Sequence, residues 1–102
     1  MDKKSALFAL HHQLYNAFYS WQLDVYAEHL KEKNGWEMKR GRDAIAFYLV
    51  KKHGWTIEHC RSLSDEVLRL TLSDELKSWK IPDEISALSE PFYEFLKEHP
   101  PA

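Results

Sequence analysis

The chain has 102 residues, 44% of them hydrophobic and 14% aromatic, with a net charge of −2. That is room for one domain around one core, with enough bulky apolar surface to offset chain entropy, so global disorder is excluded. Three Gly and four Pro leave long uninterrupted runs that disfavour a turn-rich β fold, and no apolar stretch reaches the ~18 residues of a membrane span.

The spacing predicts a first helix from about Lys4 to Lys33. Leu7, His11, Leu14, Phe18, Trp21 and Val25 follow the 4-3-4-3-4 rhythm of a packed seam. A second row, Phe8, Tyr15, Tyr19, Tyr26 and Leu30, lies beside it. Together the rows cover roughly 220° of the helix surface, about twice what the edge of a monomer needs. Either the helix is central in its own domain, or one row faces another chain. Asn34-Gly35 ends it.

A connector, Trp36 to Arg42, carries Lys39, Arg40 and Arg42. Asp43 is a candidate cap for a second helix, Ala44 to His53, closed by Gly54. Seven apolar residues, 44–50, also suit a buried strand. The two alanines and the flanking Asp and Gly favour a helix. Thr56 caps a short helix, Ile57 to about Ser62, and Ser64 caps another with Asp65 and Glu66 in its first turn. The stripe Leu68, Leu72, Leu76, Trp79 lets that helix run to about Lys80. The string Leu-Ser-Asp-Glu, at 63–66 and again at 72–75, marks a break near Ser73 or a coincidence. Pro82 opens a short Asp83–Leu88 segment, and Ser89-Glu90-Pro91 opens a last helix, Phe92 to Glu98, ended by Pro100-Pro101. Leu88 and Tyr93 stand at the positions of a hydrophobic staple. The fold expected is all-α, a single-domain bundle of five or six helices over residues 1–102 with a long N-terminal helix.

Charge is unevenly spread. Residues 31–61 hold eight Lys/Arg against four acids, and residues 62–102 hold four against nine. A basic middle beside an acidic last third either complements itself within the fold or meets an external anion.

Signatures of chemistry are absent from the sequence. The six His and Cys60 show no metal-ligand spacing, and His11 and His29, on one helix face, stand ~27 Å apart. His11, on the apolar seam, is expected to be a hydrogen-bonded core residue. Cys60 follows His59 directly, and adjacent helical residues do not face each other, so the pair is no dyad. Asp65-Glu66, Asp74-Glu75 and Asp83-Glu84 each fall near a helix start, where carboxylates serve the helix dipole. No metal, cofactor or catalytic residue is assigned, and the chain reads as a non-enzyme. A lone cysteine cannot form an internal disulfide, and the N-terminal apolar run is too short for a signal peptide. The setting expected is reducing and cytoplasmic, with no membrane partner.

Two binding functions remain. One is a protein-interaction module, an adaptor, inhibitor or regulator including a homo-oligomer, that docks through Tyr15, Tyr19 and Tyr26 with Trp36 and the basic Lys39, Arg40 and Arg42. Its alternative is a nucleic-acid-binding regulator with a helix-turn-helix-like segment at 43–62, using Lys39, Arg40, Arg42, Lys51 and Lys52 with Trp36 and Trp55 for stacking. An acidic chain and a second helix holding Glu58 and one Arg weigh against that alternative.

Overall fold

A computed structural model describes residues 1–100 of the chain; Pro101, expected to help end the last helix, lies outside them. The helices in order are α1 (Lys3–Asn34), α2 (Asp43–His53), α3 (Ile57–Ser62), α4 (Asp65–Thr71), α5 (Ser73–Ser78), α6 (Asp83–Ser86) and α7 (Glu90–Glu98), with a 3₁₀ turn at Ala87–Ser89 before α7. The all-α class expected from the sequence is what forms, and no strand occurs among the described residues. Residues 44–50, which also suited a strand, lie inside α2.

Local sequence explains most of the boundaries. Gly35 has φ +66° and lets the Trp36 amide donate back to the Lys31 carbonyl, which closes α1. Gly54, at φ +71°, does the same for α2 through a bond from its amide to the Val50 carbonyl. Thr56 and Ser64 cap α3 and α4 by accepting from the amides of His59 and Val67. Ser64→Ala is therefore expected to lower the unfolding free energy by about 1 kcal/mol. A lower urea midpoint at unchanged slope would show it; an unchanged midpoint would contradict it.

Two boundaries and one packing contact differ from what the sequence predicts. Asp43 is not the cap of α2. A turn at Arg40–Asp43 winds directly into the helix, with the Asp43 amide already bonded to the Arg40 carbonyl, so Arg42 takes the cap position. The segment from Ser64 does not run unbroken to Lys80. It breaks at Leu72 (φ −99°, ψ 15°), and the second Leu-Ser-Asp-Glu marks that break by starting α5. Leu88 is 71% exposed, so the expected staple buries little.

The chain groups into two compact units that share α1. One comprises residues 21–80. Its core joins Leu23, Tyr26, Ala27 and Leu30 of α1 to Ala44, Ile45, Ala46 and Leu49 of α2, Cys60 of α3, and Leu68 and Leu72. Trp36, Trp55 and Trp79 pack against that core. The other unit comprises residues 1–20 and the segment from Ile81 onward. Its fully buried side chains are polar, His11 and Ser89. The Ser89 hydroxyl donates to the Ser86 carbonyl at 2.7 Å, and the buried His11 ring donates from Nε2 to the His99 carbonyl. His11 is thus the hydrogen-bonded interior residue its place on the seam implied.

Candidate interaction surfaces

The charge asymmetry is partly neutralised inside the unit of residues 21–80. Arg42 reaches Asp24 at 2.5 Å and Asp65 at 2.8 Å. Burial works against its charge, and these two carboxylates hold its pKa above the usual arginine value. Lys52 bonds Glu75, and the Tyr48 hydroxyl stands 3.4 Å from the same carboxylate. Burial pushes the Glu75 carboxyl up, but the hydrogen bond and charge of Lys52, with a backbone amide and the Tyr48 hydroxyl, together outweigh it and hold the carboxyl below its ordinary value. Arg61 forks onto Asp43 at 3.1 and 3.2 Å. The basic middle and the acidic last third therefore meet at Arg42–Asp65 and Lys52–Glu75. Asp65 and Glu75 each serve a first helical turn as well.

These pairings bear on the helix-turn-helix-like segment. The turn 54–56 and the packing of α3 against α2 are present. The single arginine of α3 is held by Asp43, and α3 is only 6 residues long. Trp55, expected to stack on bases, instead carries the His53 ring 4.4 Å from its own, nearly parallel, and the His59 ring edge-on. His59 thus packs with Trp55, and burial pushes the Cys60 thiol up, away from the reactive thiolate form. A cavity of about 260 Å³ above Cys60 is rimmed by Arg40, Arg42 and Arg61, but Asp43 and Asp65 stand on the same rim.

The residues expected to bind a partner divide between the two units. Tyr26 is 5% exposed and packs edge-on against Trp79 at 5.0 Å. Burial, then the neighbouring Tyr48 and Glu75, push its hydroxyl up to about 12. It is a core residue of its unit and leaves the docking row. Trp36 is half-buried beside Phe47, with ring centroids 4.9 Å apart. Lys39 and Arg40 are exposed, and Arg42 is engaged by its two aspartates.

Tyr15 and Tyr19 belong to the other unit and share an aromatic cluster there. Their rings stack at 6.4 Å, Tyr15 meets Phe92 edge-on at 5.9 Å, and Phe18 stacks on Phe92 at 5.4 Å with the planes 8° apart. Tyr93 adds an edge contact to Phe18 at 5.5 Å. None of these rings is fully buried. Around them Phe8 is 68% exposed, Leu10 44%, Tyr15 42% and Tyr93 45%. The sequence reading missed Phe92 and Tyr93. The signal was present in the short stripe Phe92, Phe95, Leu96 of α7, at i, i+3, i+4.

Among the described residues no three His, Cys, Asp or Glu side chains are grouped to hold a metal ion, and no helix is long and apolar enough to cross a membrane. Comparison of the chain with protein-family models, curated proteins and solved structures returned no match.

Proposed function

We propose that the chain is a non-enzymatic protein-interaction module whose docking surface is the aromatic face formed by the first half of α1 and by α7. One observation carries this reading. Every fully buried apolar side chain among the described residues lies between Leu23 and Leu72, while the apolar side chains of the other unit stay partly wet. Exposed aromatic and aliphatic residues clustered in this way mark binding faces, because water leaves them at a gain of about 25 cal/mol per Å² covered.

A second copy of the chain fits this face by charge. Residues 1–20 carry Lys3 and Lys4 against Asp2, whereas residues 81–100 carry five acids against Lys97. Opposite signs on two segments of one unit make a two-fold pairing self-complementary. Sedimentation equilibrium tests the reading. The apparent mass should rise above the 12.1 kDa of one chain as concentration goes from micromolar to millimolar, and Tyr15→Glu should hold it at one chain with helical circular dichroism unchanged. A mass of one chain throughout, or a rise that Tyr15→Glu leaves in place, would overturn it.

A further inference from the structure

Two aromatic rings that pack on the outside of the hydrophobic core, Trp36 and Tyr48, stand with three lysines around the ends of α1 and α2. There a cavity of about 310 Å³ is lined by Lys33 and Asn34 at the end of α1, by Trp36 just after it, and by Tyr48, Lys51 and Lys52 of α2. No acidic residue lines it. Lys52 is bonded to Glu75, but Lys33 and Lys51 have no carboxylate partner among the described residues. The Lys51 ammonium rests 5.6 Å from the Trp36 ring and 4.9 Å from the Phe47 ring, held by π faces alone. The Asn34 amide nitrogen donates to the Leu30 carbonyl at 2.9 Å, which leaves its side-chain oxygen as an acceptor.

Lysines in a last helical turn complement the helix dipole, and Lys33 and Lys51 do stand there. That duty requires neither their convergence on one cavity nor aromatic walls. The carbonyls of Lys31 and Val50 near those ends already accept backbone bonds from Trp36 and Gly54. A ligand matching the cavity is an anion next to a flat ring. The anion satisfies Lys33 and Lys51, the ring lies against Trp36 or Tyr48, and an exocyclic amine on it can donate to Asn34. Cavities of about 300 Å³ and more hold small ligands, and base–aromatic stacking beside cationic side chains that meet the phosphates holds the nucleotides of single strands without a glycine-rich loop. We propose that this cavity binds a nucleotide unit, an amino-substituted base beside a phosphate, either free or within a single strand.

The site lies within residues 21–80 and does not rest on the interaction face of α1 and α7, so either reading can fail alone. The test titrates the full chain with adenosine 5′-monophosphate, adenosine, inorganic phosphate and a single-stranded oligoadenylate, followed by tryptophan fluorescence and amide chemical shifts. The monophosphate should bind at least tenfold tighter than adenosine or phosphate, with shifts centred on residues 33–36 and 48–52. Lys51→Gln should weaken it about tenfold, the value of one charge-assisted bond. Lys33→Gln should act likewise, and Lys39→Gln, outside the cavity, should change nothing. Both lysines are free of ion pairs, so these variants keep the fold, which circular dichroism checks. Tighter oligoadenylate binding that falls steeply with salt identifies a strand as the source, and its absence identifies the free nucleotide. No binding by either, binding no tighter than that of phosphate, or binding indifferent to Lys33→Gln and Lys51→Gln would overturn the proposal.

Discussion

Leu49→Ala is expected to lower the unfolding free energy by about 2–5 kcal/mol, most of the stability of the unit it sits in. Leu49 is 0% exposed and lies in the closed apolar core of residues 21–80, with Leu23, Ile45 and Leu72. Removing its branched end forfeits the transfer free energy and leaves a cavity that close-packed neighbours fill only in part. Some sixty residues at ~0.05–0.15 kcal/mol each hold a total of only ~3–9 kcal/mol. The variant should therefore unfold at a much lower urea midpoint, followed through the tryptophans packed on that core. Leu49→Met, which conserves volume, should cost less than about 1.5 kcal/mol. Leu70→Ala, at a site 71% exposed, should stay within about 0.5 kcal/mol. Equal losses at Leu49 and Leu70 would show that the core is not where the structure puts it.

The core residues of α2, Ala44, Ile45, Ala46 and Leu49, were legible because an unbroken apolar run must turn part of its surface inward; Phe47, Tyr48 and Val50 of the same run stay half-buried. The caps at Thr56 and Ser64 and the left-handed glycines 35 and 54 were legible for a local reason. Each is a short-range hydrogen-bond or torsional solution that few residue types provide. The breadth of the first helix was equally visible, but its cause was not. The wide apolar surface is the sum of two narrower stripes used at different heights. Leu23, Tyr26, Ala27 and Leu30 close one core, and Tyr15, Phe18 and Tyr19 serve the aromatic cluster. Periodicity reports how much of a helix is apolar, not which length of it each neighbour covers.

Candidate sites were harder to read for the same reason. Tyr26 and Tyr19 stand seven residues apart in one row, yet one is buried and the other half-buried. Arg42 and Arg61 looked like free positive charge because Asp65 and Asp43 are distant in sequence. The cavity between α1 and α2 joins Lys33 to Lys51 across a connector, a proximity that no spacing rule contains. Side chains that find partners through the tertiary fold lose the charge or apolar area that made them conspicuous in the sequence.

The second large effect concerns the dynamics of α1. Backbone amides from about His11 to Phe18, and those of α7, are expected to exchange with solvent about a hundredfold faster than those from Leu23 to Leu30. The helix is continuous from Lys3 to Asn34, so propensity and hydrogen bonding alone give no such contrast. Tertiary burial gives it. From Leu23 to Leu30 the helix opens only when a sealed core opens. From His11 to Phe18 it is held by partly wet rings and by the hydrogen bond from the His11 imidazole to the His99 carbonyl, just past α7. Isolated helices of that length are marginal in water, so packing sets the local opening energy. A hundredfold is ~3 kcal/mol, roughly the transfer free energy of one or two fully buried side chains. The proposed partner would supply that same burial. Raising the concentration into the range where mass increases should slow exchange at His11–Phe18 and leave Leu23–Leu30 unchanged, while Tyr15→Glu should abolish the slowing. Uniform protection along α1 at low concentration would mean that the first half is already closed by its own chain, and the aromatic face would then have no need of a partner.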